Sequence, residues 1–493
     1  MVGNIYKTVY NANSIALKFK GNNISYEELD KAVNCYASLL FQLGVKDGKR
    51  VILSCPNSPE FIYSYFGVVK TGGIIVPINV QLTIEEIKYF INDCHAEFII
   101  FHPLIIEKLN HTKESLKELL GIKLIVLDQE FEQNICDISP ATFEEITDEN
   151  AVSTFLYTSG TTVKQKAAML THKNLLVNAE QCQIAFHGAV ADNYMCALPM
   201  FHVFGFTICI LNPLLSGATV TILEGFHPNQ VVESLLNDDI TVFIGVPTMY
   251  VLLLAACKNK YTFPNLRWAG SGGSSLPVEV LRQARDVLKL PIVEGYGLTE
   301  ASPAVCFNPL HGIQKEGSIG LPLPYVKCRI VDENDMEVAV GEVGELLVQG
   351  ENVMLGYYKQ EQETTETLRN GWLHTGDLAR QDEDGYYYIV ERKKDLVIVG
   401  GLNVYPNEIE EVIYQYPKVK EAAVVGVDDK LRGEFVKAFI VLKEGEECTA
   451  KEVSMYLREH LANYKMPRVI EFVSDLPKSG SGKILKRLLK NIN

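Results

Sequence analysis

Residues 50–78, RVILSCPNSPEFIYSYFGVVKTGGIIVPI, hold the reading on which the fold turns. RVILSC is short, apolar and rich in branched residues, as a buried strand is. SPEFIYSYFGVVKTG has helical spacing, and IIVPI is a second strand. The alternation recurs downstream, where EEIKYFINDC leads into EFIIF and LKELL into KLIVLD. Apolar strands separated by helices predict an α/β fold whose parallel sheets are covered on both faces. Upstream, ISYEELDKAVNCYASLLFQLG has Ser25 near its start and Gly44 at its end, the signs of a capped amphipathic helix.

The texture changes after about Gly341. GEVGELLVQG, GYYYIVERKKDLVIVGG and the turn-rich GWLHTGDL read as short strands joined by hairpins. Beyond Lys394 comes a compact α+β unit, with helices NEIEEVIYQY and KEVSMYLREHL and strands EAAVVGV, KAFIVLK and VIEFV. A boundary in the charged segment 391–395 gives a large N-terminal part and a C-terminal domain of about 100 residues.

The 493 residues carry 46 Lys and Arg against 61 Asp and Glu, a net charge of −15. Residues 395–493 hold 15 of each sign, so the whole acidic excess lies on the large part. Such a chain has no global attraction for DNA, RNA or an anionic membrane, and any anionic ligand must be held by local groups. Eleven dispersed cysteines without a C-x-x-C pair exclude a disulfide framework and a zinc spacing, and fit small core residues in a reducing cytoplasm. The N-terminus lacks the pattern of a secretory signal. Residues 193–223 carry no charge, but Asn212-Pro213 and Ser216-Gly217 interrupt them and TVTIL reads as a strand. The expectation is a buried helix and then a strand, not a membrane span.

Four segments carry candidate chemistry. Residues 157–166, YTSGTTVKQK, lie between an apolar strand and a helix, where N–H groups, hydroxyls and a lysine can wrap phosphate oxygens. The Walker A spacing is absent. GSGGS at 270–274 and EGYGLTE at 294–300 read as two glycine-rich turns that let a flat ring approach the backbone, with Tyr296 as a stacking face and Glu300 as a carboxylate for a metal. In WLHTGD at 372–377, Asp377 reads as a carboxylate at a turn, able to accept from two sugar hydroxyls. KSGSGK at 478–483 is a loop presenting an ammonium. Each has an ordinary structural alternative: a surface turn, a core tyrosine, an Asp capping a turn, a solvated lysine.

In this order the segments resemble the adenylate-forming superfamily of acyl-CoA synthetases, peptide-synthetase adenylation domains and luciferases. The resemblance runs from ISYEEL through KTGGIIVPI, LPMFHVFG, GYGLTE, GELLVQGENVMLGYY, GWLHTGDL and ERKKDLVIVGGLNVYPNEIE to SGSGK. LPMFHVFGF, GVPTMY and EGYGLTEASP look most like bacterial medium- or long-chain fatty acid–CoA ligases.

The resemblance implies a large N-terminal adenylation domain over 1–391, a hinge at 392–395 and a small mobile domain over 396–493. It implies ATP, Mg²⁺ and CoA as reactants: a fatty acid becomes an acyl-adenylate with loss of pyrophosphate, and the acyl group then passes to CoA. Lys483 matches the lysine that bridges carboxylate and α-phosphate, and Thr299 would reach that phosphate. Thr158, Ser159, Gly160, Thr161, Thr162 and Lys166 would hold pyrophosphate. Tyr296, between Gly295 and Gly297, would lie on adenine against Gly272, Gly273 and Ser274. Asp377 and Arg392 would take the ribose, with Ile389 also in the nucleotide set. Glu300 would bind Mg²⁺. His202 matches a histidine at the acyl pocket, Lys394 the hinge, and Gly400 and Gly401 the CoA channel. An acyl carrier protein is the alternative acceptor, and a nucleotide- or acyl-binding protein with impaired turnover is the alternative of another class. Peripheral membrane contact is compatible with this reading. Acyl length is not legible, and Trp268 reads either as a core aromatic or as a limit to a tunnel.

One departure stands out. Relatives usually read T-S-G-T-T-G-x-P-K-G, and here Val163, Gln165 and Ala167 replace Gly, Pro and Gly. A β-branched valine disfavours positive φ, and loss of proline frees the unbound loop. A natural variant with slower adenylation, an engineered trap and lost catalysis all fit this change.

Overall fold

A computed structural model of the chain describes residues 2–7, 12–141, 143, 148–158, 165–257, 263–289, 292–429, 433–480 and 482–490. Residues 50–78 fold as expected. Strands Arg50–Ser54 and Ile74–Pro77 pair in parallel, with Val51 opposite Ile75, and helix Pro59–Lys70 joins them. That helix starts at Ser58, whose side chain accepts from Phe61 N–H, with proline at the first helical position where no donor is needed. Helix Tyr26–Gln42 begins with a full capping box: Ser25 Oγ accepts from Glu28 N at 3.2 Å, and Glu28 Oε2 from Ser25 N at 2.7 Å.

These elements belong to a seven-stranded sheet that is parallel from Val152–Thr158 through Ile74–Pro77, Arg50–Ser54 and Phe98–Phe101 to Lys123–Val126. Lys166–Thr171 and Gly356–Tyr357 extend it in antiparallel fashion. A nine-stranded sheet forms the second layer. Its parallel centre runs through Ile292–Gly297, Trp268–Ser271, Val242–Gly245, Asn193–Cys196, Thr219–Ile222 and Ile15–Phe19. The main core joins the two: Leu53 and Ile75 of one sheet and Val220 and Val242 of the other are fully buried. Phe61, Tyr65 and Phe206 pack within it, the last two with ring centroids 4.0 Å apart. Each such ring contributes about 1.5–3 kcal/mol by leaving water.

A four-stranded antiparallel sheet holds Leu373–Gln381 and Tyr387–Arg392. The smaller C-terminal domain is a five-stranded sheet with helices Pro406–Tyr414 and Ala450–His460. The fold is thus α/β, with layered sheets in a large N-terminal domain and a smaller α+β domain after it. The uncharged stretch forms a wide helical turn over Phe204–Leu211, then helix Asn212–Leu215 and strand Thr219–Ile222. Among the described residues no helix is long and apolar enough to cross a membrane. All eleven cysteines are free, and eight are buried.

Three local expectations are corrected. Glu294–Gly297 is not a turn but the end of a strand that pairs antiparallel with Ala304–Phe307. Gly270 and Ser271 are strand residues as well, and the chain bends at Gly273 and Ser274. Asp377 lies within a strand, just after Gly376 at φ +72°, where the pairing register shifts.

Candidate active site

The ends of strands Trp268–Ser271 and Ile292–Gly297 open onto a cleft of about 650 Å³, its open mouth included. Gly272, Gly273, Gly295, Tyr296, Gly297, Thr299, His202 and Lys483 all line it. The glycines here allow close approach. A Cβ on Gly297 would sit 2.2 Å from the Pro303 carbonyl oxygen, and one on Gly295 2.8 Å from the Phe307 ring. Gly273 has φ +85°, and a Cβ there would press on Lys483 Cε at 3.0 Å.

Lys483 arrives from the small domain. Its loop is closed by a bridge between Lys478 and Ile484, and Ser479 Oγ accepts from Lys483 N at 3.1 Å. Thr248 of the large domain donates to the Gly482 carbonyl at 2.9 Å, and Glu411 of the small domain accepts from Val278 N at 3.2 Å. With those contacts the ammonium enters the cavity. Desolvation, and then Arg392, push its pKa down to about 8, against the pull of Asp377 and Glu300. His202 Nδ1 accepts from Phe204 N at 3.2 Å. Burial, and then Lys483, push this imidazole down to about 3, so it is neutral at pH 7.

Asp377 is buried and accepts from the Tyr296 hydroxyl at 2.5 Å. Arg392, its register partner on the next strand, places Nε 3.4 Å from Asp377 Oδ1. Burial raises the Asp377 pKa, and Arg392 opposes that rise. Glu300, in the short turn Thr299–Ala301, accepts from the Tyr357 hydroxyl at 2.7 Å. Lys166 is buried, pairs with Glu363, and stands 5.1 Å from the Tyr357 ring centroid. Thr158 faces Lys166 in register, at the mouth of the threonine-rich loop. Ser159, Gly160, Thr161, Thr162 and Val163 lie outside the described residues.

Other expected site residues stand apart from the cavity lining. Ser274 is exposed, and Ile389 is half-buried in strand Tyr387–Arg392. Lys394 is exposed beyond that strand. Gly400 and Gly401, at φ +59° and +83°, form the turn of the hairpin Val397–Val404 with open space around them. Glu363 and Tyr357 were missed by sequence reasoning, as were Phe186 and Phe307 in the cavity lining. Glu363 is one of four glutamates between 351 and 366, and only the fold selects it.

Among the described residues no three His, Cys, Asp or Glu side chains cluster as a metal site. Glu300 alone suits Mg²⁺, which takes one or two carboxylates and draws its other oxygens from phosphate and water.

The family model "AMP-binding enzyme" matches residues 7–358, and "AMP-binding enzyme C-terminal domain" matches 408–483. A long-chain-fatty-acid–CoA ligase of Bacillus subtilis (strain 168) is 35% identical, over 96% of this chain and 91% of its own. A feruloyl-CoA synthase of an Amycolatopsis species is also 35% identical, over 96% and 95%. Among solved structures, the anthranilate CoA ligase AuaEII in complex with anthranoyl-AMP superposes with a TM-score of 0.93. It has 28% identity over 99% of this chain and 96% of its own.

Proposed function

The chain belongs to the AMP-binding enzyme family, and from that premise we propose that it converts a fatty acid and ATP into an acyl-adenylate and then into acyl-CoA. The observation that carries this reading is the position of Lys483. One ammonium from the small domain lines a largely apolar cavity, beside Gly273 and close enough to act on His202.

A carboxylate attacking the α-phosphate brings two anions together, so a cation and N–H donors must neutralise the developing charge. Lys483 would bridge those anions, with Thr299 beside it. Asp377, aligned by Tyr296 and Arg392, would accept from the ribose hydroxyls. Lys166 and Thr158, with Ser159, Gly160, Thr161 and Thr162, would hold the departing pyrophosphate. Mg²⁺ on Glu300 would supply further neutralisation of the phosphates. His202, held neutral, would sit beside the acyl carboxyl without repelling Lys483. Lys394 would act as the hinge that later brings Gly400 and Gly401 to the CoA path.

The test uses the full chain with ATP, Mg²⁺ and a panel of carboxylic acids. Acid-dependent ATP–pyrophosphate exchange, with AMP release that requires CoA, supports the reading. Exchange without CoA consumption points to carrier loading, and nucleotide binding without exchange overturns ligation.

Two substitutions probe the phosphate grip. Glu363 neutralises Lys166 before any phosphate arrives, and its carboxylate must be displaced or shared. Glu363→Gln is expected to lower the ATP KM about fivefold with little change in kcat, the scale of a partly exposed ion pair. An unchanged KM removes Glu363 from the nucleotide site.

Restoring Gly and Pro at 163 and 165 is expected to raise exchange. The Gln165 carbonyl accepts from Tyr89 at 3.0 Å, a bond that proline preserves. Ala167 is better left, because it is buried in strand Lys166–Thr171, where glycine costs about 0.5–1 kcal/mol. A double variant no faster than the parent shows that these two positions are not a defect.

A further inference from the structure

The lining of the cavity is mostly apolar, with its charge confined to one group. Lys483 is the one cation among the described lining residues, and it lies beside Gly273. Most of the remaining lining is apolar and includes Ile208, Ala304, Cys306, Leu323, Phe186 and Phe307. A substrate with a second carboxylate would bury that charge with no partner, which is strongly unfavourable. The cavity therefore suits a monocarboxylic acid with an apolar tail.

Three rings from three elements form a wall at this apolar lining, Phe186 and Phe307 in it and Trp268 packed against them. Phe186 is the last residue of helix His172–Phe186, Trp268 the first of strand Trp268–Ser271, and Phe307 the last of strand Ala304–Phe307. Their centroids are mutually close: 5.1 Å for Phe186–Trp268, 4.6 Å for Phe186–Phe307 and 5.6 Å for Trp268–Phe307. The indole also fills the space over Gly270, where a Cβ would lie 3.0 Å from Trp268 Cζ3. Phe186 ends its helix at this wall. The next residue, His187, turns outward at φ +50° and is exposed, its ring 5.0 Å from that of exposed His311.

We propose that the Phe186–Trp268–Phe307 wall is the ruler that sets the longest acyl chain the cavity accepts. The inference rests on the ligase reading above. Rings locked against one another from three elements do not yield as a single side chain would. Each methylene added in front of the wall gains about fourfold in kcat/KM. The first carbon that reaches the wall must displace a ring, and the trend reverses by about tenfold. Removing the Phe186 ring opens the passage toward His187 and His311, so a longer tail has somewhere to go.

The experiment measures kcat/KM in ATP–pyrophosphate exchange for straight-chain saturated acids from butyric to stearic. The parent is expected to show a rising limb and a sharp break. Phe186→Ala moves the break about two to four carbons longer, the room a lost ring leaves, with the ATP KM unchanged. Phe307→Leu moves it the same way by less, and Phe186→Tyr leaves it in place. Phe186→Leu replaces the alanine variant if that variant does not fold, as judged by its melting temperature. A break that stays put in folded, active Phe186 and Phe307 variants overturns the ruler. A parent that exchanges pyrophosphate with no acid at all overturns the ligase reading instead.

Discussion

Replacing Lys483 with Gln is expected to slow ATP–pyrophosphate exchange by about 10²–10³, the loss typical of one preorganised donor at a centre of developing charge. Gln retains length and polarity but removes the cation, so the loss reports charge rather than shape. Thioester formation from CoA and a synthetic acyl-adenylate should be nearly spared, because the proposed swing of the small domain takes Lys483 away from that step. That contrast separates a chemical role from misfolding. Equal loss in both half-reactions assigns Lys483 to structure alone.

The pH dependence carries the same argument with a definite sign. The Lys483 pKa is lowered to about 8, so the free enzyme holds the ammonium below that pH and loses it above. The kcat/KM for exchange, which reports the free enzyme, is expected to fall as pH rises through about 8. Lys483→Arg should be slow, since the larger guanidinium must fit beside Gly273, where even an added Cβ would lie only 3.0 Å from Lys483 Cε. Its profile should nonetheless lose the alkaline limb, because Arg stays charged. A limb that persists in Lys483→Arg belongs to another group.

Much of this molecule was legible locally. The alternation in residues 50–78 and the Ser25–Glu28 capping box are short-range signals, and both elements form where sequence reasoning places them. The glycines of EGYG misled for a physical reason. Glycine marks turns, but it also marks places where backbone or rings approach closely. Gly295 and Gly297 are strand residues under Phe307 and Pro303. The wall was hidden because it joins positions 186, 268 and 307, and no spacing rule connects residues so far apart. The pairing of Lys166 with Glu363 was hidden for the same reason.

Asp377→Ala is expected to raise the ATP KM by about 10–100-fold, the worth of one or two hydrogen bonds to a charged group. Two costs combine. On the proposed reading the ribose hydroxyls would lose their acceptor, and the Tyr296 hydroxyl and Arg392 lose the carboxylate that they face. Asp377→Asn separates the two: its amide oxygen can still accept from Tyr296, but its charge is gone, so its ATP KM should fall between parent and alanine. Asn also imitates the protonated acid. The Asp377 pKa is raised by burial, so the parent carboxylate is lost on acidification sooner than an exposed aspartate would be. The parent's ATP KM should therefore climb toward acid pH and approach that of Asp377→Asn, whose own KM should stay flat over the same range. A parent KM that stays flat there places the nucleotide's hydroxyls on some other acceptor. The cavity would then owe its affinity to the Tyr296 ring and to Lys483, with Asp377 serving only to pin the tyrosine.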